Sequence, residues 1–443
     1  MTQAPAENTA PAGTVAPGAP TPGPSAPAPL TAHAASGASA HPPMEAPAEV
    51  KAATTSTPHA IFDTDPRKRR GARIALIVAG VVLGIALLLV LGYFLAFIGP
   101  GLTFLGALLA LIPLTIVLLG VRWIDRWEPE PRLLVLIAFL WGATAAIVIA
   151  LTVDLGASLL IAAGGGETNW TIFIHTVIQA PVVEESAKGL GVLLIYLIAR
   201  RFFDGPVDGI VYAALVAGGF AFAENIQYFA LQIGESGSLD LQVGQIFFIR
   251  GILSPFAHVM FTAFTGFFIG LAARKGTTAA GVGFFFLGLI PAILLHAFWN
   301  GILFFVYNAF QFYLYYLVVQ VPLFVLGIVA VTILRRREAK MTQLRLAEYA
   351  TAGWIHPSEV NTLGTGAGRR QALAWARQRG MRPVMKEYIK DATHLAFTRN
   401  RIVSGRDRVA SQADETLLLT QVSESRARLA ATAPTMAAPV PTT

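Results

Sequence analysis

The chain has no cysteine, and charged residues are scarce in it. Of its 443 residues, 13% are Asp, Glu, Lys or Arg, whereas 54% are hydrophobic. The lack of cysteine excludes disulfides, thiolate zinc sites, iron–sulfur clusters and a cysteine nucleophile. The low charged fraction excludes an ordinary soluble enzyme. Any chemistry must therefore use oxygen and nitrogen groups.

Large apolar side chains are nearly absent from the first 66 residues. Residues 1–60 hold 18 Ala and 12 Pro, and a segment with so little to bury is expected to be disordered. No basic start followed by an apolar stretch is present, so a cleavable signal peptide is not expected. We predict that residues 1–66 form a disordered cytosolic tail.

Long apolar runs fill residues 67–337, and each is near the roughly 20 residues that span a bilayer. Only helices satisfy their backbone in lipid over such lengths, so the predicted fold is all-α and polytopic. We expect about eight transmembrane helices, with seven or nine as the main alternative. The runs are residues 73–98, 102–121, 133–153, 170–199, 207–231, 247–273, 279–304 and 310–334.

Basic residues mark one side of this predicted bundle. Fifteen Lys and Arg residues flank alternate helix ends, whereas the connections 99–101, 154–169, 232–246 and 305–309 contain none. Only Arg250 lies near that second side. The positive-inside rule then predicts a multi-pass protein of the cell membrane with both termini in the cytoplasm.

Residues 338–443 are predicted to be a basic, partly helical cytosolic tail. From residue 335 onward there are 18 Lys and Arg against 9 Asp and Glu. A membrane-facing surface attracted to anionic lipid is the main interpretation, and a docking or regulatory module is the alternative. No Gly-rich phosphate loop or metal-finger spacing occurs here, and no nucleic-acid partner is predicted.

Four consecutive predicted spans carry polar residues that are costly in lipid. At about 1.5 Å per residue, one such residue in each span lies about 24 to 27 Å from the cytoplasmic helix end. Independent helices have no reason to share this level unless the groups meet, so we predict a functional polar site. The residues are Glu184, Glu185 and Lys188, then Glu224 and Asn225, then His258 and Thr262, then His296 and Asn300.

This set of side chains fits hydrolysis by an activated water. A carboxylate can take the proton, while His or Asn side chains, or a metal held by His and Glu, stabilise the oxyanion. The sequence contains no His-Glu-x-x-His and no Gly-x-Ser-x-Gly, and the spans hold no interior aspartate pair. Two other functions stay open, namely a proton- or cation-coupled transporter and a non-proteolytic membrane scaffold.

The order of these motifs resembles the PrsW family of intramembrane proteases, which is related to the CAAX prenyl protease and bacteriocin-processing group. The similarity covers about residues 75 to 335. It rests on Glu184-Glu-x-x-Lys188, Phe220-x-x-x-Glu224-Asn225, His258-x-x-x-Thr262 and His296-x-x-x-Asn300, preceded by Asp125-Arg-Trp-Glu-Pro-Glu130.

The resemblance implies an intramembrane endopeptidase whose partner is a single-span membrane protein in the lipid bilayer, with site-1 cleavage of an anti-sigma factor as one such reaction. It implies that Glu184 or Glu185 activates water, that Glu224 and His258 orient or ligate, and that His296 and Asn300 stabilise the oxyanion. Lys188, Phe220 and Asn225 would support the site. Glu224, His258 and His296 are the candidate ligands of a divalent metal such as zinc, and no organic cofactor is expected. Glu224 stands where the wider group has His, which leaves metal and metal-free chemistry both open.

Overall fold

The computed structural model describes residues 66–406 and 408–431, and all regular structure in these ranges is helical. This confirms the predicted all-α fold. The tail predictions for residues 1–65 and 432–443 lie outside the described residues. We number the continuous helices in chain order as α1 (66–98), α2 (Pro100–Ile124), α3 (Arg132–Ala163), α4 (169–198), α5 (Pro206–Ser236), α6 (Leu241–Ala273, interrupted at 254–256), α7 (Thr278–Phe305) and α8 (Ala309–Thr351).

Seven of these helices are long and apolar enough to cross a membrane. They are α1 to α3 and α5 to α8, so the protein is an integral multi-pass membrane protein. Helix α4 has a similar length but carries Glu184, Glu185 and Lys188, and its charges keep it outside that group. The eighth span therefore stays a prediction that rests on the packing of α4 among the other helices.

Helix α4 changes its winding just before the charged motif. Thr168 caps its start by accepting a hydrogen bond from the Thr171 amide at 3.1 Å. Residues Ile174–Gln179 then form a π-helical turn, and Pro181 follows inside the next α-helical segment. Proline has no amide hydrogen to give to the preceding turn, so a wider turn at this point avoids a broken bond.

Helix α5 lies at the centre of the packing, with 94% of its most apolar stretch of 18 residues buried. Glycines allow its backbone to approach two neighbours. A Cβ on Gly209 would lie 2.0 Å from the carbonyl oxygen of Gly266 on α6, and a Cβ on Gly142 of α3 would lie 1.8 Å from that of Val216. Such backbone contact fixes the height and rotation of α5, and hence the position of Glu224.

The C-terminal residues form four further helices with a core of their own. These are α9 (Pro357–Gly364), α10 (Gly366–Gln378), α11 (Arg382–Val403) and α12 (Arg408–Ala431). Leu346 at the end of α8 is fully buried with Ala376 and Leu395 in this core. The predicted domain boundary between 337 and 338 thus falls inside α8, which runs unbroken from the apolar region into the C-terminal helices.

The acidic connection between α2 and α3 contacts this C-terminal region. Trp127 Nε1 donates to Thr342 Oγ1 at 3.0 Å, and the Arg369 guanidinium lies 3.5 Å from the centre of the Trp127 ring. Burial raises the pKa of Asp125 to about 6, although the Glu130 amide donates to its carboxylate. Burial, followed by the nearby Asp208, also raises the pKa of Glu130 well above its usual value. The connection therefore holds half-buried carboxyl groups whose pKa values are raised.

Candidate active site

The two adjacent glutamates of α4 face different surroundings. Glu185 is fully buried, and its carboxylate accepts a hydrogen bond from Thr262 Oγ1 of α6 at 2.8 Å. Its other oxygen lies 3.0 Å from His296 Nδ1 of α7. Glu184 keeps 14% of its side chain exposed. The roughly 100° turn between neighbouring helical residues thus separates one structural carboxylate from one accessible carboxylate.

The Lys188 ammonium lies between these groups and is fully buried. Its Nζ is 2.6 Å from Glu185 Oε1, 3.3 Å from Glu184 Oε2 and 3.1 Å from His258 Nδ1. It also lies 4.3 Å from the centre of the Phe220 ring. The predicted supporting positions of Lys188 and Phe220 are therefore beside the carboxylates, and a positive charge occupies the centre of the donor groups.

Glu224 joins α5 to two residues of α6. Its Oε2 lies 2.9 Å from His258 Nε2 and 2.5 Å from the Arg250 guanidinium. Arg250 Nε also donates to Asn225 Oδ1 at 2.9 Å, so one arginine holds both residues of the Glu-Asn pair. Arg250 is not among the site residues predicted from the sequence. The available signal was its position as the one basic residue near a side whose connections otherwise lack Lys and Arg, eight residues before His258.

Three donor groups come close enough to hold one metal ion. One ligand atom each from Glu184, His258 and His296 lies within 4.8 Å of the others. This group contains Glu184 where the sequence analysis had placed Glu224. Glu224 is instead bonded to Arg250 and to the far nitrogen of His258.

The donor chemistry fits a divalent metal. Glu184 Oε2 lies 4.0 Å from both His258 Nδ1 and His296 Nε2, whereas tetrahedral zinc with bonds of 2.0 to 2.2 Å needs donors about 3.4 Å apart. The other ring nitrogen of each histidine meets a carboxylate, Glu224 for His258 and Glu185 for His296. Such carboxylate partners are typical of metal-ligating histidines, because they fix the tautomer and raise the basicity of the free nitrogen.

A pocket of about 280 Å³ opens beside the accessible carboxylates. It lies between α3, α4 and α5, and both Glu184 and Glu224 line it together with Gln227 and Tyr228. Asp154 and Gln179 also line the pocket, and apolar side chains such as Leu151 form the rest of its wall. Glu184 is therefore open to the pocket, whereas Glu185 is not part of its lining.

Asn300, another predicted site residue, contacts the backbone of α4 and not the carboxylates. Its Nδ2 donates to the carbonyl oxygen of Thr176 at 2.9 Å, in the π turn of α4. One of its two amide hydrogens is therefore used to hold this turn. Phe261, which the sequence analysis did not name, stacks on the His296 ring at 4.6 Å between centres.

The helical membrane fold and its buried carboxylate–histidine group define an intramembrane hydrolase. Residues 130–327 match the family described as PrsW family intramembrane metalloprotease. Protease PrsW of Clostridioides difficile is 34% identical over 196 residues, which is 44% of this chain and 78% of that protein. Protease PrsW of Bacillus subtilis is 32% identical over 154 residues, which is 35% of this chain and 61% of that protein. No solved structure matches the chain.

The chain belongs to the PrsW family and is an intramembrane protease. This confirms the resemblance seen in the motifs. It also favours the protease over the transporter and the scaffold that the residues alone left open.

Proposed function

We propose that the chain is a metal-dependent endopeptidase that hydrolyses a peptide bond of a single-span membrane protein within the bilayer. The observation that carries this proposal is the grouping of Glu184, His258 and His296 within 4.8 Å, next to the pocket that Glu184 lines. An anti-sigma factor cut at site 1 is the substrate that we propose to test first, on the strength of the family resemblance.

In this proposal Glu184 is the general base. It is the more exposed of the two glutamates and lines the pocket, so it can accept the proton of the attacking water and pass it to the leaving amide nitrogen. Glu185 and Glu224 position His296 and His258 through their ring nitrogens. The second amide hydrogen of Asn300 is the one we assign to the developing oxyanion.

His258 Nδ1, His296 Nε2 and one Glu184 oxygen are the proposed ligands, which would leave the other Glu184 oxygen to accept the proton of the attacking water. A divalent metal such as zinc, if held there, would act as a Lewis acid on the scissile carbonyl and would lower the pKa of a bound water. The Lys188 Nζ lies 3.1 Å from His258 Nδ1, so the lysine would have to give up this contact for His258 Nδ1 to serve as a ligand.

We further propose that both termini are cytoplasmic and that residues 67–337 are the protease domain. The charge asymmetry of the helix connections supports this orientation. Residues 1–66 and 338–443 would then lie on the cytosolic side, and no nucleic acid is expected as a partner.

The test uses the full chain in liposomes with a panel of tagged single-span proteins that includes anti-sigma factors. We expect the wild type to cleave at least one of them, and Glu184→Gln and His296→Ala to abolish cleavage. Glu235→Gln is the matched control, because Glu235 is exposed at the end of α5. Full cleavage by Glu184→Gln would disprove the proposal. A chelator that stops the reaction, with zinc restoring it, supports the metal; cleavage that persists after chelation assigns the same residues to metal-free glutamate chemistry.

A further inference from the structure

A cavity of about 650 Å³ lies far from the proposed active site, where membrane helices end against the C-terminal helices. Three connections surround it: the one between α4 and α5, the one between α6 and α7, and the one between α11 and α12. No role in the hydrolysis involves these residues. The cavity is therefore a separate feature of the molecule.

The described lining of this cavity is strongly basic. Six of its side chains are cationic and one, Asp414, is anionic. The cationic residues are Arg200, Arg201, Arg274, Lys275, Arg401 and Arg406. Four of them belong to connections of the membrane helices, and the last two belong to the C-terminal region.

Two carboxylates form ion pairs with three of these cations. Asp204 lies 2.9 Å from Arg401 and 3.6 Å from Arg406, and Asp414 lies 3.5 Å from Arg201. Arg200 donates to the carbonyl oxygen of Gly276 and, at 3.1 Å, to Thr278 Oγ1. The Arg200 guanidinium thus lines the cavity and is hydrogen-bonded to neutral acceptors.

Arg274 and Lys275 are both exposed, and neither forms an ion pair with a described carboxylate. Among the described residues, the Lys275 ammonium contacts the Phe284 ring, 5.0 Å from its centre. Three ion pairs cross the contact between the C-terminal helices and the membrane helices, but six cations line the cavity against the two carboxylates of these pairs, so positive charge is in excess where the two regions meet. Like charges facing each other across a contact are unfavourable unless an anion lies between them.

We propose that this cavity binds a phosphate group of an anionic ligand. Several converging Arg and Lys side chains are the chemistry that recognises phosphate, because guanidinium groups bind its oxygens in pairs. The cavity lies at the ends of α4 and α6 and the starts of α5 and α7, which is the level of lipid headgroups for helices that cross a bilayer. The phosphate can therefore come from an anionic lipid or from a soluble phosphate compound.

Such a ligand would act as a bridge between two parts of the chain. Arg401 and Arg406 would contact it from the C-terminal region, while Arg274 and Lys275 would contact it from the membrane region. Burial lowers the pKa of Arg406, opposed by Asp204 and reinforced by Arg401. Phosphate bound in the cavity would offset this excess of positive charge and hold the C-terminal helices on the membrane helices.

The test measures binding of three probes to the detergent-solubilised full chain by titration calorimetry. The probes are dioctanoyl phosphatidic acid, dioctanoyl phosphatidylcholine as the zwitterionic control, and inorganic pyrophosphate. The variant is Arg274→Gln with Lys275→Gln, which removes two cations without breaking an ion pair. The matched control is Arg336→Gln with Arg337→Gln, since both residues are exposed on α8 outside the cavity.

We expect phosphatidic acid or pyrophosphate to bind, and the affinity to fall on the order of 30-fold in the Arg274/Lys275 variant, because each basic residue near an anionic headgroup contributes about fivefold. The Arg336/Arg337 variant should bind like the wild type. The probe that binds identifies the lipid or the soluble source. Absence of binding for both anionic probes, equal binding of phosphatidylcholine, or equal losses in the two double variants would overturn the proposal.

Discussion

Replacing Glu184 and Glu185 one at a time by Gln separates chemistry from structure. The two side chains are adjacent and chemically alike, but Glu185 is fully buried among Lys188, Thr262 and His296, whereas Glu184 lines the pocket. We predict that Glu184→Gln abolishes cleavage with little loss of stability. Glu185→Gln is predicted to lower the stability of the whole helical region.

The magnitudes follow from the contacts. Removing one partner of a buried ion pair costs about 3 to 5 kcal/mol, because the remaining charge is left in a poorly solvated place. Lys188 keeps Glu184 at 3.3 Å when Glu185 is replaced, so we expect the lower end, about 3 kcal/mol. Glu184→Gln loses a longer contact of a partly exposed group, about 1 kcal/mol. Loss of a general base should slow cleavage by roughly 100-fold or more.

The assay pairs two measurements on the same purified variants. The free energy of unfolding is measured by SDS titration followed by circular dichroism, and cleavage is measured in liposomes, with Glu235→Gln as the control. Equal destabilisation by the two substitutions would refute the assignment of Glu185 as the structural carboxylate. Unchanged stability of the Glu185→Gln protein would refute it as well.

Three further outcomes test other parts of the structure. Arg250→Gln should reduce cleavage about tenfold or more because Glu224 loses the guanidinium at 2.5 Å, and Arg250→Lys should recover part of it; equal activity of all three proteins would contradict this role. The pKa of Asp125 is raised to about 6 in the folded protein, so the contribution of this group to the free energy of unfolding is fully present below about pH 4 and is lost as the pH rises to about 6. Asp125→Asn should flatten this part of a curve of stability against pH. An unchanged curve would contradict the prediction. Gly209→Ala should destabilise by roughly 3 kcal/mol in the SDS titration, because its Cβ would meet a backbone carbonyl oxygen at 2.0 Å; Gly283→Ala on the open face of α7 is the control, and similar values for both would contradict the packing argument.

The level of the site in the bundle was accessible from sequence because helical rise is constant. Counting residues from the helix ends predicted that Glu184, Glu224, His258 and His296 share one level, and the structure brings these side chains into contact. The same counting could not say which glutamate faces the pocket. Helical phase gives the angle between Glu184 and Glu185, but the burial of each depends on which neighbouring helices pack against α4.

Arg250 and the C-terminal helices show a second limit of the sequence. Arg250 lies inside the predicted span 247–273 but belongs to none of the motifs. Its contact with Glu224 depends on the π turn Phe248–Leu253 of α6, which the sequence pattern does not reveal. The run of α8 to Thr351 was missed because apolar composition ends near residue 334, whereas a helix continues as long as its backbone bonds do. Composition therefore predicted where the apolar region ends, and the helix itself ends later.

The two histidines present opposite ring nitrogens toward Glu184, and the carboxylates behind them explain why. Glu224 meets His258 at Nε2, which leaves Nδ1 facing inward, while Glu185 meets His296 at Nδ1, which leaves Nε2 facing inward. A carboxylate can only accept, so it fixes the hydrogen on the outer nitrogen and a lone pair on the inner one. A glutamine in either position could donate or accept, and the inner nitrogen would no longer be held as a ligand. The need for two carboxylates at these places thus accounts for glutamates on two different helices in the interior of an otherwise apolar bundle.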